Sequence, residues 1–201
     1  MASEVEIARL ALQHLGDRYD ITSLTEASPE AEQVNLVYAE VRDMMLREHP
    51  WKFARKYSTP AQHTGTVPGN WSYMFQYPSD CVRMVRLVNP LGDGATPLRF
   101  EVARYVSGGT DIRVVLCDED EPTFEYTARI TDPNEYDPHF ITAFSYRLAQ
   151  YIAVPITGDQ QQMGAMKQLA DLELGKAQAS DANEGFEAPN PAEAGWINAR
   201  A

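Results

Sequence analysis

Leu46-Arg47-Glu48-His49-Pro50-Trp51-Lys52-Phe53-Ala54 and, far downstream, Leu148-Ala149-Gln150-Tyr151-Ile152-Ala153-Val154-Pro155-Ile156-Thr157-Gly158 are two helix endings, and what lies between them decides the fold. Proline restricts the residue before it to extended backbone, so Pro50 stops the first helix and Pro155 is expected to stop the second. Trp51 and Phe53 follow the first ending as an aromatic pair, the composition of a core plug. Pro50, Trp51, Phe53 and Pro155 together are therefore expected to form a structural corner. Working outward, the period changes from helical to alternating after about Ser58 and returns to helical at Asp137-Pro138. The expected fold class is α+β: a bundle of about four helices, an inserted antiparallel sheet of about five strands, and a flexible C-terminal arm. The boundaries read from the sequence are 1–57 and 138–180 for the helical body, 58–137 for the β insertion and 181–201 for the arm.

The helices carry start chemistry. Ser3 caps a first helix with Glu4 and Glu6 near its positive end, and Val5, Ala8, Leu12 and Leu15 recur at helical spacing before Gly16. Ile21 and Leu24 sit in the connector and are expected under the next helix. Ser28 as N-cap with Pro29 at the first helical position opens that helix, whose stripe is Val34, Tyr38, Val41 and Met45. Asp137-Pro138 opens the third, with Phe140, Ala143, Phe144, Arg147, Leu148, Tyr151 and Ile152 on one face. Asp159 caps a fourth, where Met163, Met166, Ala170, Leu174 and Ala177 make a weak stripe of small residues.

Between them, Trp71, Tyr73, Phe75 and Tyr77 alternate with Ser72, Met74 and Gln76 and are expected on one face of a strand closed by Pro78. Residues 81–88 are nearly apolar on both faces, as in a central strand, with Arg83 and Arg86 as exceptions. Asn89–Gly94 reads as a turn, and Ser107-Gly108-Gly109-Thr110 as a hairpin that sets Phe100, Val102 and Val106 opposite Ile112, Val114 and Leu116. Phe124, Tyr126, Ala128 and Ile130 form the last strand. Beyond Ser180 the sequence is acidic and rich in Ala, Pro and Gly, too poor in apolar area to fold alone, yet it holds Phe186, Trp196 and Ile197. Aromatics spaced along such a segment suit an arm that orders on a partner.

The net charge of −12 argues against a phosphate-gripping surface. No apolar run approaches the ~18 residues of a membrane span, and the acidic N-terminus is unlike a signal peptide, so the chain is expected to stay in the cytoplasm where it is made. Cys81 and Cys117 form no ligand pattern and read as buried thiols. His14, His49, His63 and His139 have no metal-ligand spacing. There is no nucleophile elbow, phosphate loop or dinucleotide fingerprint, and a trio such as Asp80, Cys81 and His63 has no spacing to recommend it. Asp118-Glu119-Asp120-Glu121 lacks the glycine and distant Glu of a calcium loop and reads as a solvated turn. Neither catalytic residues nor cofactor or metal ligands are expected.

Several pieces in order carry a resemblance: Ala11-Leu12-Gln13-His14-Leu15-Gly16 followed by Ile21-Thr22-Ser23-Leu24, the helix with Tyr38 and Arg42, His49-Pro50-Trp51-Lys52-Phe53-Ala54, the aromatic strand before Pro78-Ser79-Asp80-Cys81, and Leu148 to Thr157. Over roughly residues 5–180 the chain resembles the head-to-tail connector (adaptor) proteins of tailed bacteriophages, the group that includes tail tubular protein A. The resemblance implies a non-enzymatic virion protein, made in the host cytoplasm and located at the head–tail junction. It further implies a dodecameric ring beneath the portal protein, a downstream tail protein on its other face, DNA passing through the channel without specific binding, and an arm that reaches the portal. Rival classes are another virion interaction protein, such as a stopper or tail terminator, and a small soluble enzyme.

Overall fold

A computed structural model describes residues 2–16, 21–92 and 95–185. The chain divides into two compact units, one made of Met1–Arg55 with Thr127–Ala182 and one containing Lys56–Tyr126.

The first unit holds α1 (Glu4–His14), α2 (Pro29–Glu48), α3 (Pro138–Thr157) and α4 (Gln160–Asn183), with a 3-10 turn at Pro133–Glu135. Each of the first three starts where a side chain satisfies a free amide. Ser3 and Glu6 exchange hydrogen bonds in a capping box, Ser28 accepts from the Ala31 amide, and Asp137 accepts from the His139 amide at 2.7 Å. α3 is the centre, packed against both α1 and α2, and its Phe140, Phe144, Leu148 and Ile152 are buried with Ile7, Leu12, Val34, Tyr38 and Met45. Ile21 is buried in the connector as expected, and Leu24 is half-buried.

Pro155 is not a stop. α3 continues through it to Thr157 and ends at Gly158, whose φ of 71° suits a residue without a Cβ. The proline removes a single hydrogen bond near the helix end, so the cost is small there. Residues 127–137 also belong to the helical unit, because Tyr136 stacks on Phe53 and Phe140. α4 runs three residues past Ser180.

The second unit is built from six strands in two three-stranded sheets, where one sheet of about five was expected. The strands are β1 (Arg55–Ser58), β2 (Tyr73–Gln76), β3 (Cys81–Val88), β4 (Phe100–Ser107), β5 (Thr110–Cys117) and β6 (Thr123–Ala128), in orders β1-β6-β3 and β2-β5-β4. Both faces of β2 are buried, and a single sheet cannot cover both. On one side Met74 lies with Val114 and Leu116 beneath Val67 and Trp71; on the other Phe75 meets Phe124 of the second sheet at 6.2 Å. β1 was not read from the sequence because Arg-Lys-Tyr-Ser has no apolar alternation.

Three further expectations change. Trp71 lies before β2, outside its alternation, and packs on the Met74 side rather than with Phe75. β3 is an edge strand and β6 the central one; the arginines within β3 are tolerated at an edge, where Arg86 reaches the buried Glu125 of β6 at 2.6 Å. In the hairpin, the Gly108-Gly109 turn, with φ of 56° and 83°, pairs Ser107 with Thr110. That register sets even positions opposite odd ones: Phe100 faces Cys117 and Val102 faces Val115, while Ile112 faces Tyr105. The turn after β3 is described as far as Gly92, with the Leu91 amide donating to Asn89 Oδ1.

Candidate interaction surfaces

α2 ends where His49 goes extended ahead of Pro50, which leaves the last carbonyls of the helix without the usual donors. Trp51 turns back under that end. Its indole N–H donates to Met45 O at 2.9 Å, and its fully buried ring meets Phe140 edge-on at 5.0 Å. Phe53 meets Phe140 edge-on at 5.0 Å and Tyr136 at a tilt at 5.9 Å. Pro50, Trp51 and Phe53 therefore form the expected corner, and Pro155 takes no part in ending a helix.

Asp181, near the end of α4, is fastened to the same corner. Its carboxylate accepts from the Lys52 amide at 2.7 Å and meets His49 Nε2 at 3.0 Å, and Lys52 Nζ donates to Ala182 O. Asp181 is buried, so the charge is compensated by a backbone dipole and an imidazole. This holds the point from which the chain continues toward Phe186, Trp196 and Ile197, which lie outside the described residues.

Two helix faces of this unit present apolar side chains to solvent on the side away from its core. On α2, Leu36 is 71% exposed and lies opposite Val34, Tyr38 and Met45, flanked one turn away by exposed Glu32 and Glu40. On α4, Met166, Ala170 and Ala177 are buried, while Ala165, Leu169, Leu172, Lys176 and Ala179 run along the other side at helical spacing, Leu172 being 55% exposed. Met163, expected in the buried stripe, is partly exposed. Gly164 and Gly175 lie in the helix interior next to that outer face, and a Cβ on either would meet nothing within 4 Å. Each costs about 1 kcal/mol of helix stability relative to Ala, with no return from packing among the described residues. The sequence reading saw only one weak stripe because apolar residues occur on two opposite sides of α4 and blur its periodicity.

Several titratable groups are engaged by neighbours within the fold. His14 Nε2 lies 3.0 Å from Ser145 Oγ, but that hydroxyl donates to Thr142 O, so the imidazole donates rather than abstracts a proton. Burial lowers the His14 pKa, and its ring stacks on Tyr146. In a cleft of about 340 Å³ on the β unit, Asp80 bridges Lys56 at 2.6 Å and Tyr126 at 3.1 Å. Burial raises the Asp80 pKa, but hydrogen bonds from those two partners outweigh it and the net shift is downward. Cys81 donates to Tyr77 OH at 3.0 Å, and both cysteines are buried. Of the trio Asp80, Cys81 and His63, Asp80 holds Lys56 and Tyr126, Cys81 meets Tyr77, and His63 meets Tyr105 edge-on at 5.6 Å. Asp118 is held by Arg99 at 2.7 Å and by Ser72. Among the described residues no group of three or more His, Cys, Asp or Glu lies close enough to hold a metal ion, and no helix is long and apolar enough to cross a membrane. A groove of about 380 Å³ beside α1 is lined by Ile7, Leu10 and Ile141 with Glu6, Arg9 and Gln13, and its open surface is almost wholly apolar.

No protein-family model matches the chain, and no curated protein is significantly similar to it.

Proposed function

We propose that this chain is a structural virion protein, a head-to-tail adaptor that assembles as a dodecameric ring between the portal protein and a downstream tail protein. The observation that supports the reading best is a helical unit with a closed core that still turns Leu36 and Leu172 to solvent on faces opposite that core. Such faces are what a subunit keeps for its neighbours. The inserted β unit supplies a second, separate surface for the tail partner, and the segment beyond Gly185, with Phe186, Trp196 and Ile197, is the portal anchor. A net charge of −12 lets DNA traverse the channel without adhering to its wall. The protein performs no catalytic step in this role.

The test combines size-exclusion chromatography with light scattering and low-resolution imaging. Alone, the chain runs as a monomer or weakly associated species; mixed with the portal ring of its virion it forms a ring on that portal, and a chain cut after Gly185 does not join. A full-length chain that ignores the portal refutes the adaptor role. A stable large ring in dilute buffer without portal refutes the coupling of assembly to docking.

A further inference from the structure

We infer that the ring closes by laying the Leu36 face of α2 on the Leu172 face of α4 of a second copy, a heterologous helix–helix contact with a lysine set against a carboxylate. The inference deepens the ring reading above and rests on it.

The occupant is chosen by charge. Two copies cannot pair through α2 alone, because Glu32 and Glu40 stand one turn either side of Leu36 and meet each other, or themselves, whichever way the helices run. α4 offers the opposite sign at the same spacing: Lys176 lies one turn, about 6 Å, beyond Leu172. With Leu36 placed against Leu172, Lys176 falls opposite Glu40 if the helices are parallel and opposite Glu32 if they are antiparallel. The match therefore holds for either direction. The Lys176 side chain is exposed and, among the described residues, bonds Glu173 of its own helix at 2.7 Å, an exposed pair that a neighbour's carboxylate can share. Close approach is open on the α4 side, where Gly164, Ala165, Gly175 and Ala179 are exposed and, among the described residues, no side chain stands over either glycine. In a chain of net charge −12, copies repel at long range. A face with a lysine beside exposed leucines is where an acidic face of the next copy loses least. Because the two faces differ, each bound copy leaves one of each kind free, and addition continues until rotation closes the ring.

Disulfide trapping reads this directly, since it captures transient encounters and needs no stable ring. Leu36→Cys and Leu172→Cys chains, each folded by circular dichroism, are mixed under mild oxidation, with Val106→Cys, 67% exposed on the β unit, as the control for random collision. The mixed 36–172 product is expected in about tenfold excess over the 36–36, 172–172 and 36–106 products. Adding Lys176→Glu to the Leu172→Cys chain lowers the mixed yield about fivefold, and Glu32→Lys with Glu40→Lys in the Leu36→Cys chain recovers it. A mixed yield no greater than the control overturns the inference. So does a 172–172 product as abundant as the mixed one, which would mean that two α4 faces meet. Trapping that appears only in chains cut after Gly185 overturns it too, because the chain's own final residues would then cover the face. Each of these failures leaves the adaptor role standing if the chain still joins the portal ring; trapping as expected in a chain that ignores the portal keeps the interface and removes the role.

Discussion

Replacing Trp51 separates what burial and what hydrogen bonding contribute at the corner where α2 ends. The indole is fully buried and its N–H is the donor to Met45 O. A tryptophan buries about 150–250 Å², which at ~25 cal/mol per Å² gives roughly 4–6 kcal/mol, an upper bound because the unfolded chain already covers part of that ring. Trp51→Phe keeps most of the apolar contact with Phe140 but leaves the Met45 carbonyl without its donor, so about 2 kcal/mol should be lost. Trp51→Ala adds a cavity among Phe53, His49 and Phe140 and should cost about 3–5 kcal/mol. All four helices lie in one compact unit, so ellipticity at ~222 nm during urea unfolding reports that unit with little contribution from the strands. Both variants should lower the midpoint at unchanged slope, the alanine by about twice as much. Equal losses for the two variants would show that the hydrogen bond, and not the ring, holds the corner. A loss below ~1 kcal/mol for Trp51→Ala would mean that the corner is not a core plug at all.

The glycines of α4 give a test with opposite signs in two assays. Gly164→Ala and Gly175→Ala should each stabilise the isolated chain by about 0.5–1 kcal/mol in thermal unfolding, yet lower the yield of rings formed on the portal; a gain in both would mean that no neighbour approaches those positions. Acid should loosen the connector before α2. Glu26 accepts from the amides of Thr22 and Ser23 and from the hydroxyls of Thr22 and Ser28, and these bonds, that of the Thr22 hydroxyl foremost, hold its carboxyl at about 2, below its ordinary 4.5. Because the folded value is the lower one, the stabilisation is complete above pH 4.5 and disappears as the pH falls toward 2. The protection of the Thr22 and Ser23 amides, their exchange measured against that of the unfolded chain at the same pH, should fall across that window, and in Glu26→Gln it should be low already at neutral pH. Protection that stays constant with acid in the unaltered chain would count against the carboxylate as the clasp.

The helix starts were legible in the sequence because each rests on a side chain a few residues from the amide it satisfies, as at Ser3, Ser28 and Asp137. The hairpin was legible for the same reason, since Gly108-Gly109 is a local signal. What failed depends on contacts distant in sequence. β1 exists because β6 pairs with it, and nothing within Arg-Lys-Tyr-Ser announces a strand. β3 looked central from its apolar letters, although its arginines already marked an edge. Pro155 was misread because the penalty for proline depends on how much helix follows it, and only two residues do. Of the interaction residues, Trp51 and Phe53 were legible as aromatics beside a proline. Leu36 and Leu172 were not: a leucine facing solvent has the same letter as one in the core, and only the placement of the other helices tells them apart.

The Ala128 amide donates to Ala54 O at 2.8 Å. The seventy-odd residues of the β unit thus depart from and return to the helical scaffold at two neighbouring peptide groups. Such a junction works as a socket. Through it, the inserted module can be lengthened, shortened or exchanged for another while the scaffold goes on folding from the same helices.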